Sequence, residues 1–189
     1  MTAAFFVSAS VVALAEIGDK TQLLSLLLAA RFRKPLPIIS GILFATLANH
    51  ALAGVLGEWV RARLAPEALR WLLAASLVAI AAWTLRPDRL EREPEATRRY
   101  GVFVLTLIAF FLVEMGDKTQ IATVVLAAQF HALAAVVFGT TLGMLVANVP
   151  VVLAGAALAE RIPLRAVRIA AAASFAVLAA VALLLPAGS

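Results

Sequence analysis

Two short stretches of the sequence combine carboxylates, an ammonium group, a hydroxyl and an amide at identical spacing. Residues 16–22 read EIGDKTQ, and residues 114–120 read EMGDKTQ. Both stretches lie inside long apolar runs, where an ionisable side chain is costly and by default marks a functional site. The repetition indicates that the chain consists of two related halves, each with one copy of the motif.

The oxygen-rich side chains of the motifs suit a hard divalent cation. Carboxylate, amide and hydroxyl oxygens are ligands for Ca²⁺, Mn²⁺ and Mg²⁺, and neither motif contains a histidine or cysteine that would favour zinc or copper. The whole chain lacks cysteine, which excludes disulfides, thiolate metal sites and dithiol redox chemistry. A glycine beside the carboxylates, Gly18 or Gly116, lets another backbone or an ion approach closely.

The charges of the motifs must be compensated inside a membrane. One ionised residue at the centre of a spanning helix costs about 2.5 to 3.5 kcal/mol, so six unpaired ones would cost roughly 15 to 20 kcal/mol. On a continuous helix Glu16 and Asp19 share a face, and Lys20 stands where it pairs with Glu16. Pairing within each motif leaves one negative charge per half, which one divalent cation or two protons would neutralise. This balance suggests electroneutral exchange as a hypothesis.

The composition identifies an integral membrane protein. Of the 189 residues, 63% are apolar and only 14% are charged, whereas soluble domains are nearer half apolar. The net charge of +5 comes from basic residues in short loops, which favours a role in membrane orientation over nucleic-acid binding. We expect the N-terminal apolar segment to remain in the protein, because no basic residue precedes it as in a secretory signal.

The apolar runs predict an all-α membrane protein with six transmembrane helices. Each run is close to or above the roughly 20 residues that a spanning helix needs. They cover approximately residues 3–30, 36–57, 68–85, 101–129, 132–158 and 164–186. The first and fourth runs are overlong, which leaves room for tilt or for a break at the motif.

Three crossings per half predict two inverted three-helix repeats, because an odd number of crossings delivers the second half to the opposite side. The first repeat is residues 1–85, a charged linker is residues 86–100, and the second repeat is residues 101–189. A pseudo-two-fold axis in the membrane plane would bring the two motifs together near mid-depth.

Lysine and arginine in the loops predict the orientation. The first, third and fifth connections between runs are much richer in these residues than the second and fourth. By the positive-inside rule the linker 86–100 is cytoplasmic and both termini lie outside, in the cell (inner) membrane.

Further polar side chains lie inside the predicted spans. Asn49 and Asn148 occupy similar places in the second helix of each half, and a ligand role and an interhelical hydrogen bond are about equally favoured. His50 lies next to Asn49 and has Val149 as its apparent counterpart; a hydrogen-bonded or cavity-facing histidine is favoured over a proton relay. The motif threonines are expected to bond back to the helix backbone.

Two E-x-G-D-[KR]-[ST] motifs in a six-helix chain of this length resemble the Gdt-type family of cation/proton antiporters. That family includes MneA-type bacterial manganese exporters, which this Arg/Ala-rich chain resembles more, and Golgi Mn/Ca transporters. The resemblance implies exchange of Mn²⁺ or Ca²⁺ for H⁺, with no cofactor beyond the transported ion. The matching cation-binding positions are Glu16, Asp19, Glu114 and Asp117. The supporting or pathway candidates are Lys20, Thr21, Gln22, Lys118, Thr119, Gln120, Asn49 and Asn148.

The expected mechanism is alternating access, in which metal and protons compete for the same carboxylates. Two other functions stay open at this stage. A small exporter of another substrate, such as an amino acid, fits the helix number, although the excess of carboxylates argues against an anionic headgroup as cargo. An intramembrane aspartyl protease is disfavoured, because each Asp is followed by a Lys and the partner Tyr-Asp motif is missing. We therefore predict a transporter rather than an enzyme, and the sequence gives no indication of an oligomer.

Overall fold

A computed structural model describes residues 1–86, 101–154 and 164–184, and these residues form helices and short connections without any strand. Most of the predicted linker, residues 87–100, lies outside the described residues. The helices are α1 (Thr2–Glu16), α2 (Lys20–Phe32), α3 (Pro35–Arg63), α4 (Pro66–Thr84), α5 (Val102–Glu114), α6 (Lys118–Phe130), α7 (Leu133–Ala154) and α8 (Leu164–Leu184).

Both motifs interrupt their helices. The break between α1 and α2 falls at Gly18, whose φ of +81° is accessible to glycine at little cost, and the axes of the two helices differ by 70°. Gly116 repeats this conformation with φ of +77° between α5 and α6. Of the two alternatives for the overlong runs, tilt or a break, the structure has the break.

Only some of the helices are long and apolar enough to cross a membrane unaided. Within the described residues these are α3, α4 and α7, and α1 with α2 makes a fourth if the bent pair counts as one span. The predicted all-helical class is confirmed by the described residues. The six transmembrane spans stay a prediction.

The first helix of each half packs against the long helix of the other half. α1 lies along α7, α5 lies along α3, and α4 packs with α8. Glycines allow the two close crossings: a Cβ built on Gly139 would lie 2.5 Å from the Phe5 carbonyl oxygen, and one on Gly41 would lie 2.7 Å from Cβ of Thr106. Small residues at such crossings let helix backbones approach within a membrane.

The interior combines an apolar core with a polar centre. Phe110, Ile42 and Met144 are buried in one apolar cluster where α3, α5 and α7 meet. Large apolar side chains such as Leu52 and Leu153 face outward, as expected of a surface that contacts lipid. The motif carboxylates lie in the interior and not on this surface.

Candidate metal centre

Three carboxylates from the two motifs converge in the interior. Glu16 ends α1, Asp19 precedes α2 and Asp117 precedes α6. One oxygen from each lies within 4.8 Å of the others, and all three residues have 0% exposure. Both aspartates stand at helix N-termini, where the helix dipole stabilises negative charge. Carboxylates from both halves therefore meet beside the two breaks.

The two motif lysines pair across the halves. Lys118 contacts Asp19, and Nζ of Lys20 lies 3.0 Å from Oδ1 of Asp117. The expectation that each lysine pairs with the glutamate of its own motif is wrong. The break at glycine removes the helical register on which that expectation depended, and the aspartate of the other half is the partner that the structure provides.

The motif threonines and glutamines stabilise the breaks. The Thr21 hydroxyl donates to the Glu16 carboxylate, and the Thr119 hydroxyl lies 3.5 Å from the Asp117 carboxylate, so the expected bonds to the helix backbone are wrong for both. The Gly18 N–H donates to Oε1 of Gln22 at 2.9 Å, and the Gly116 N–H donates to Oε1 of Gln120 at 2.7 Å. Each break thus has its backbone fixed by its own glutamine.

The fourth candidate carboxylate, Glu114, has different neighbours from Glu16. Its Oε1 lies 2.8 Å from Nε2 of His50. Its Oε2 accepts hydrogen bonds from the Asn49 amide at 3.3 Å and from the Thr46 hydroxyl at 3.4 Å. Glu114 is buried, but it is not one of the three carboxylates within 4.8 Å of one another.

The amides at the predicted supporting positions also have unlike partners. Asn49 contacts Glu114 and receives a hydrogen bond from Gln120 at 3.2 Å. Asn148 accepts a hydrogen bond from Ser25 at 2.7 Å and donates to the Met144 carbonyl at 3.1 Å. Asn49 therefore belongs to the carboxylate network, and Asn148 joins α7 to α2.

The contacts of the motif glutamines revise the correspondence between the two halves. Gln120 donates to Asn49 and Gln22 donates to the Ala147 carbonyl at 3.0 Å, so position 49 corresponds to 147. The same spacing relates Gly41 to Gly139. His50 then corresponds to Asn148, and the assignment of Val149 as its counterpart is wrong. Pairing Asn49 with Asn148 matches two identical residues, but it shifts the alignment of the halves by one position.

Sequence reasoning missed Thr46 and undervalued His50. Thr46, Asn49 and His50 are spaced i, i+3 and i+4 on α3 and form one polar face of an otherwise apolar helix. That spacing was available in the sequence, because side chains three and four apart share a helix face. A polar stripe on an apolar helix is the signal that would have found them.

Access to the two motifs differs. The side chain of Lys20 is 25% exposed, whereas that of Lys118 is 3% exposed. The difference is confined to the lysines, because Met115 and Gly116 of the second motif are exposed whereas no residue of the first motif is.

Comparison with known proteins gives a consistent result. The family model described as "Divalent cation/proton antiporter GDT1" matches residues 4–92 and 102–188. A Vibrio cholerae serotype O1 protein named "Putative manganese exporter" is 58% identical over 163 residues, which cover 86% of this chain and 81% of that protein. GDT1-like protein 3 of Oryza sativa is 30% identical over 87% of this chain and 67% of its own length. GDT1-like protein 3 of Arabidopsis thaliana is 29% identical over 87% of this chain and 64% of its own length. No solved structure matches.

Proposed function

We propose that this chain, which belongs to the GDT1 family of divalent cation/proton antiporters, exports Mn²⁺ from the cytoplasm in exchange for protons. The name of the Vibrio cholerae relative supports manganese as the cargo, with Ca²⁺ as the competing candidate. The chain is a transporter and not an enzyme, and family membership removes the support for a protease or an amino-acid exporter.

The observation that carries the proposal is the buried group of Glu16, Asp19 and Asp117, with one oxygen of each within 4.8 Å of the others. Carboxylates this close repel one another unless a cation or protons lie among them. Oxygen ligands suit Mn²⁺ and Ca²⁺. We assign these three as ligands drawn from both halves, and the buried Glu114 as the candidate for a fourth.

Charge balance supports exchange. The four motif carboxylates and the two motif lysines leave two negative charges, which one divalent cation or two protons neutralise. Because metal and protons compete for the same oxygens, metal binding releases protons and protonation releases metal. Lys20 and Lys118 each contact an aspartate of the other half. Their positive charges stay in place whether the carboxylates hold one divalent cation or two protons, so the net charge of the site is the same in both cases.

Six membrane crossings in two inverted repeats follow if each broken pair, α1 with α2 and α5 with α6, makes one crossing. The close approach of Gly139 to Phe5 joins the beginnings of α7 and α1, and that of Gly41 to Thr106 joins the beginnings of α3 and α5. These parallel pairs support opposite directions for the two halves. The two family-model matches support the same division.

The positive-inside rule supports a cytoplasmic linker and external termini in the cell (inner) membrane. On that assignment Arg61 and His131, which approach to 3.4 Å, lie at the external side. Alternating access is the proposed transport cycle, with the two halves rocking around the shared carboxylates. The greater exposure of Lys20 relative to Lys118 is the asymmetry expected of one accessible state.

The direct test is cation-dependent proton flux in proteoliposomes, with Mn²⁺, Ca²⁺ and Mg²⁺ compared. We expect a Mn²⁺ gradient to drive proton movement, without a sustained membrane current. The matched control is Glu58→Gln, which removes a carboxylate that pairs with Arg61 away from the motifs, and it should retain the flux. A purified protein that moves no proton with any of the three cations would overturn the proposal.

A further inference from the structure

We infer that His50 is a specificity-determining ligand: its imidazole nitrogen, together with Glu114, binds the transported ion and favours transition-metal cations such as Mn²⁺ over Ca²⁺ and Mg²⁺. The inference rests on the proposed function. Neither the motif pattern nor the names of the relatives assigns a role to His50, which lies outside both motifs.

The geometry of the pair fits two ligands of one small ion. Two ligand atoms at right angles around an ion are separated by about 1.4 times the bond length. Bonds of about 2.0 to 2.1 Å, as in Zn–N and Mg–O pairs, therefore separate them by about 2.8 to 3.0 Å, and Ca²⁺ bonds of about 2.3 to 2.6 Å by about 3.3 to 3.7 Å. Nε2 of His50 and Oε1 of Glu114 are 2.8 Å apart, so the spacing disfavours Ca²⁺, and discrimination against Mg²⁺ rests on the nitrogen ligand.

The same two atoms are not aligned as a hydrogen bond. Nε2 and Nδ1 of His50 and Oε1 of Glu114 all lack a hydrogen-bond partner in the described part of the chain, although both residues are 0% exposed. A buried polar atom without a partner is costly and calls for an explanation. An ion on the lone pair of Nε2 would leave the oxygen to one side of that axis, as a neighbouring ligand.

The surroundings of Glu114 leave Oε1 available for this role. The Asn49 amide and the Thr46 hydroxyl both donate to Oε2, and Gln120 in turn donates to Oδ1 of Asn49. One oxygen is thus held by α3 and α6 while the other faces His50. Such fixed orientation of a carboxylate is typical of metal ligands supported by neighbouring hydrogen bonds.

The chemical consequence is selectivity. Ca²⁺ and Mg²⁺ take oxygen ligands, whereas first-row divalent metals also bind sites that contain nitrogen, with Mn²⁺ the weakest binder among them. Asn148 stands at the corresponding position of the other half. Its amide accepts a hydrogen bond from Ser25 and donates one to the Met144 carbonyl. The nitrogen therefore comes from one half only, and an asparagine at position 50 is the substitution that the molecule itself suggests.

The transport test compares His50→Asn with the unaltered protein in proteoliposomes, measuring Mn²⁺ and Ca²⁺ exchange side by side. We expect the ratio of Mn²⁺ to Ca²⁺ transport to fall about tenfold or more, because removing a metal-site partner typically costs 10- to 100-fold in affinity. His131→Asn, at the end of α6, is the control and should keep the ratio. An unchanged ratio in His50→Asn, or an equal loss of both ions, would overturn the inference.

A spectroscopic test needs no altered position 50. Mn²⁺ bound to purified His131→Asn protein, which retains His50 alone, should show ¹⁴N coupling in electron spin echo envelope modulation. Labelling with ¹⁵N-histidine should replace that coupling by the ¹⁵N pattern. Absence of any histidine nitrogen coupling to bound Mn²⁺ would overturn the inference even if His50→Asn fails to insert.

The two proposals fail differently. If the unaltered protein moves no Mn²⁺ in exchange for protons, the proposed function is wrong. If it exchanges Mn²⁺ normally but shows neither the change in ratio nor the nitrogen coupling, only the role of His50 is wrong.

Discussion

The two motifs have almost the same sequence but different surroundings. Glu16 belongs to the group of three close carboxylates and receives a hydrogen bond from Thr21, whereas Glu114 faces His50 and Asn49. Lys20 is partly exposed, while Lys118 is almost fully buried. Identical motif residues therefore do not make identical halves of a site.

The difference comes from the long helix that each motif meets. The second motif packs near the polar face of α3, with Thr46, Asn49 and His50, and the corresponding positions on α7 are Met144, Ala147 and Asn148. Two halves that start from one pattern can thus specialise by changes in the helix that faces the motif. The repeated geometry of the breaks and their different neighbours together define this asymmetric centre.

The largest expected effect is a loss of Mn²⁺ efflux that is the same whichever half carries the substitution. Asp19→Asn and Asp117→Asn each remove a negative charge from the group of three carboxylates, and each removes the charge that a lysine of the other half contacts. We expect Mn²⁺ efflux to fall at least about 100-fold in both, because each loses a metal ligand and a buried ion pair. Efflux from cells, normalised to the protein in the membrane, measures this.

Near-normal efflux from either aspartate variant would contradict a site shared between the halves. Glu58→Gln serves as the matched control, since Glu58 is a partly exposed carboxylate whose partner Arg61 lies on its own helix. Loss of efflux in that control would indicate a general sensitivity to charge removal.

Substitution of the two motif lysines should destabilise the protein to different extents. Lys118→Met removes the ammonium group that contacts the fully buried Asp19, and breaking a buried pair from one side costs about 3 to 5 kcal/mol. Lys20→Met removes a partner whose side chain is 25% exposed. If the proposed accessible state opens this side to water, water compensates in part and the loss should be nearer 1 kcal/mol. Thermal unfolding of the purified variants in one detergent measures the difference, and equal shifts would argue that the two pairs are equivalent.

Much of this architecture could be predicted from the sequence, and the limits are physical. Composition and the repeated motif indicate a helical membrane protein with related halves, and Gly18 and Gly116 indicate where breaks would fall. Partner choice could not be predicted, because Lys20 meets Asp117 only after the chain folds across the halves. Nor does a motif pattern contain His50, whose importance depends on which face of α3 meets Glu114.

The pH dependence should not distinguish the halves if they share one site. Protons compete with the metal for the same carboxylates, so lowering the pH should weaken the apparent Mn²⁺ affinity, by about 10- to 100-fold across the range in which the carboxylates protonate. Titration of Mn²⁺-driven exchange between pH 5 and 8 measures this. A flat profile would mean that protons and metal use separate sites.

The smallest expected difference concerns the glutamines that fix the breaks. Gln22 and Gln120 each accept a hydrogen bond from the glycine N–H of their own motif, and a typical intramolecular hydrogen bond contributes about 1 kcal/mol. Gln120 also holds Asn49, which in turn contacts Glu114, whereas the second contact of Gln22 is the carbonyl of Ala147. We therefore expect Gln120→Ala to lower Mn²⁺ transport severalfold more than Gln22→Ala, at similar losses of thermal stability.

Gln129→Ala, on the same helix as Gln120 but at its far end, controls for a general effect of removing an amide from α6. If Gln22→Ala were the more damaging of the two, the amide network around Glu114 would not contribute to transport. The functional difference between the halves would then depend on access through the more exposed Lys20 side, because that exposure is the other asymmetry between the motifs.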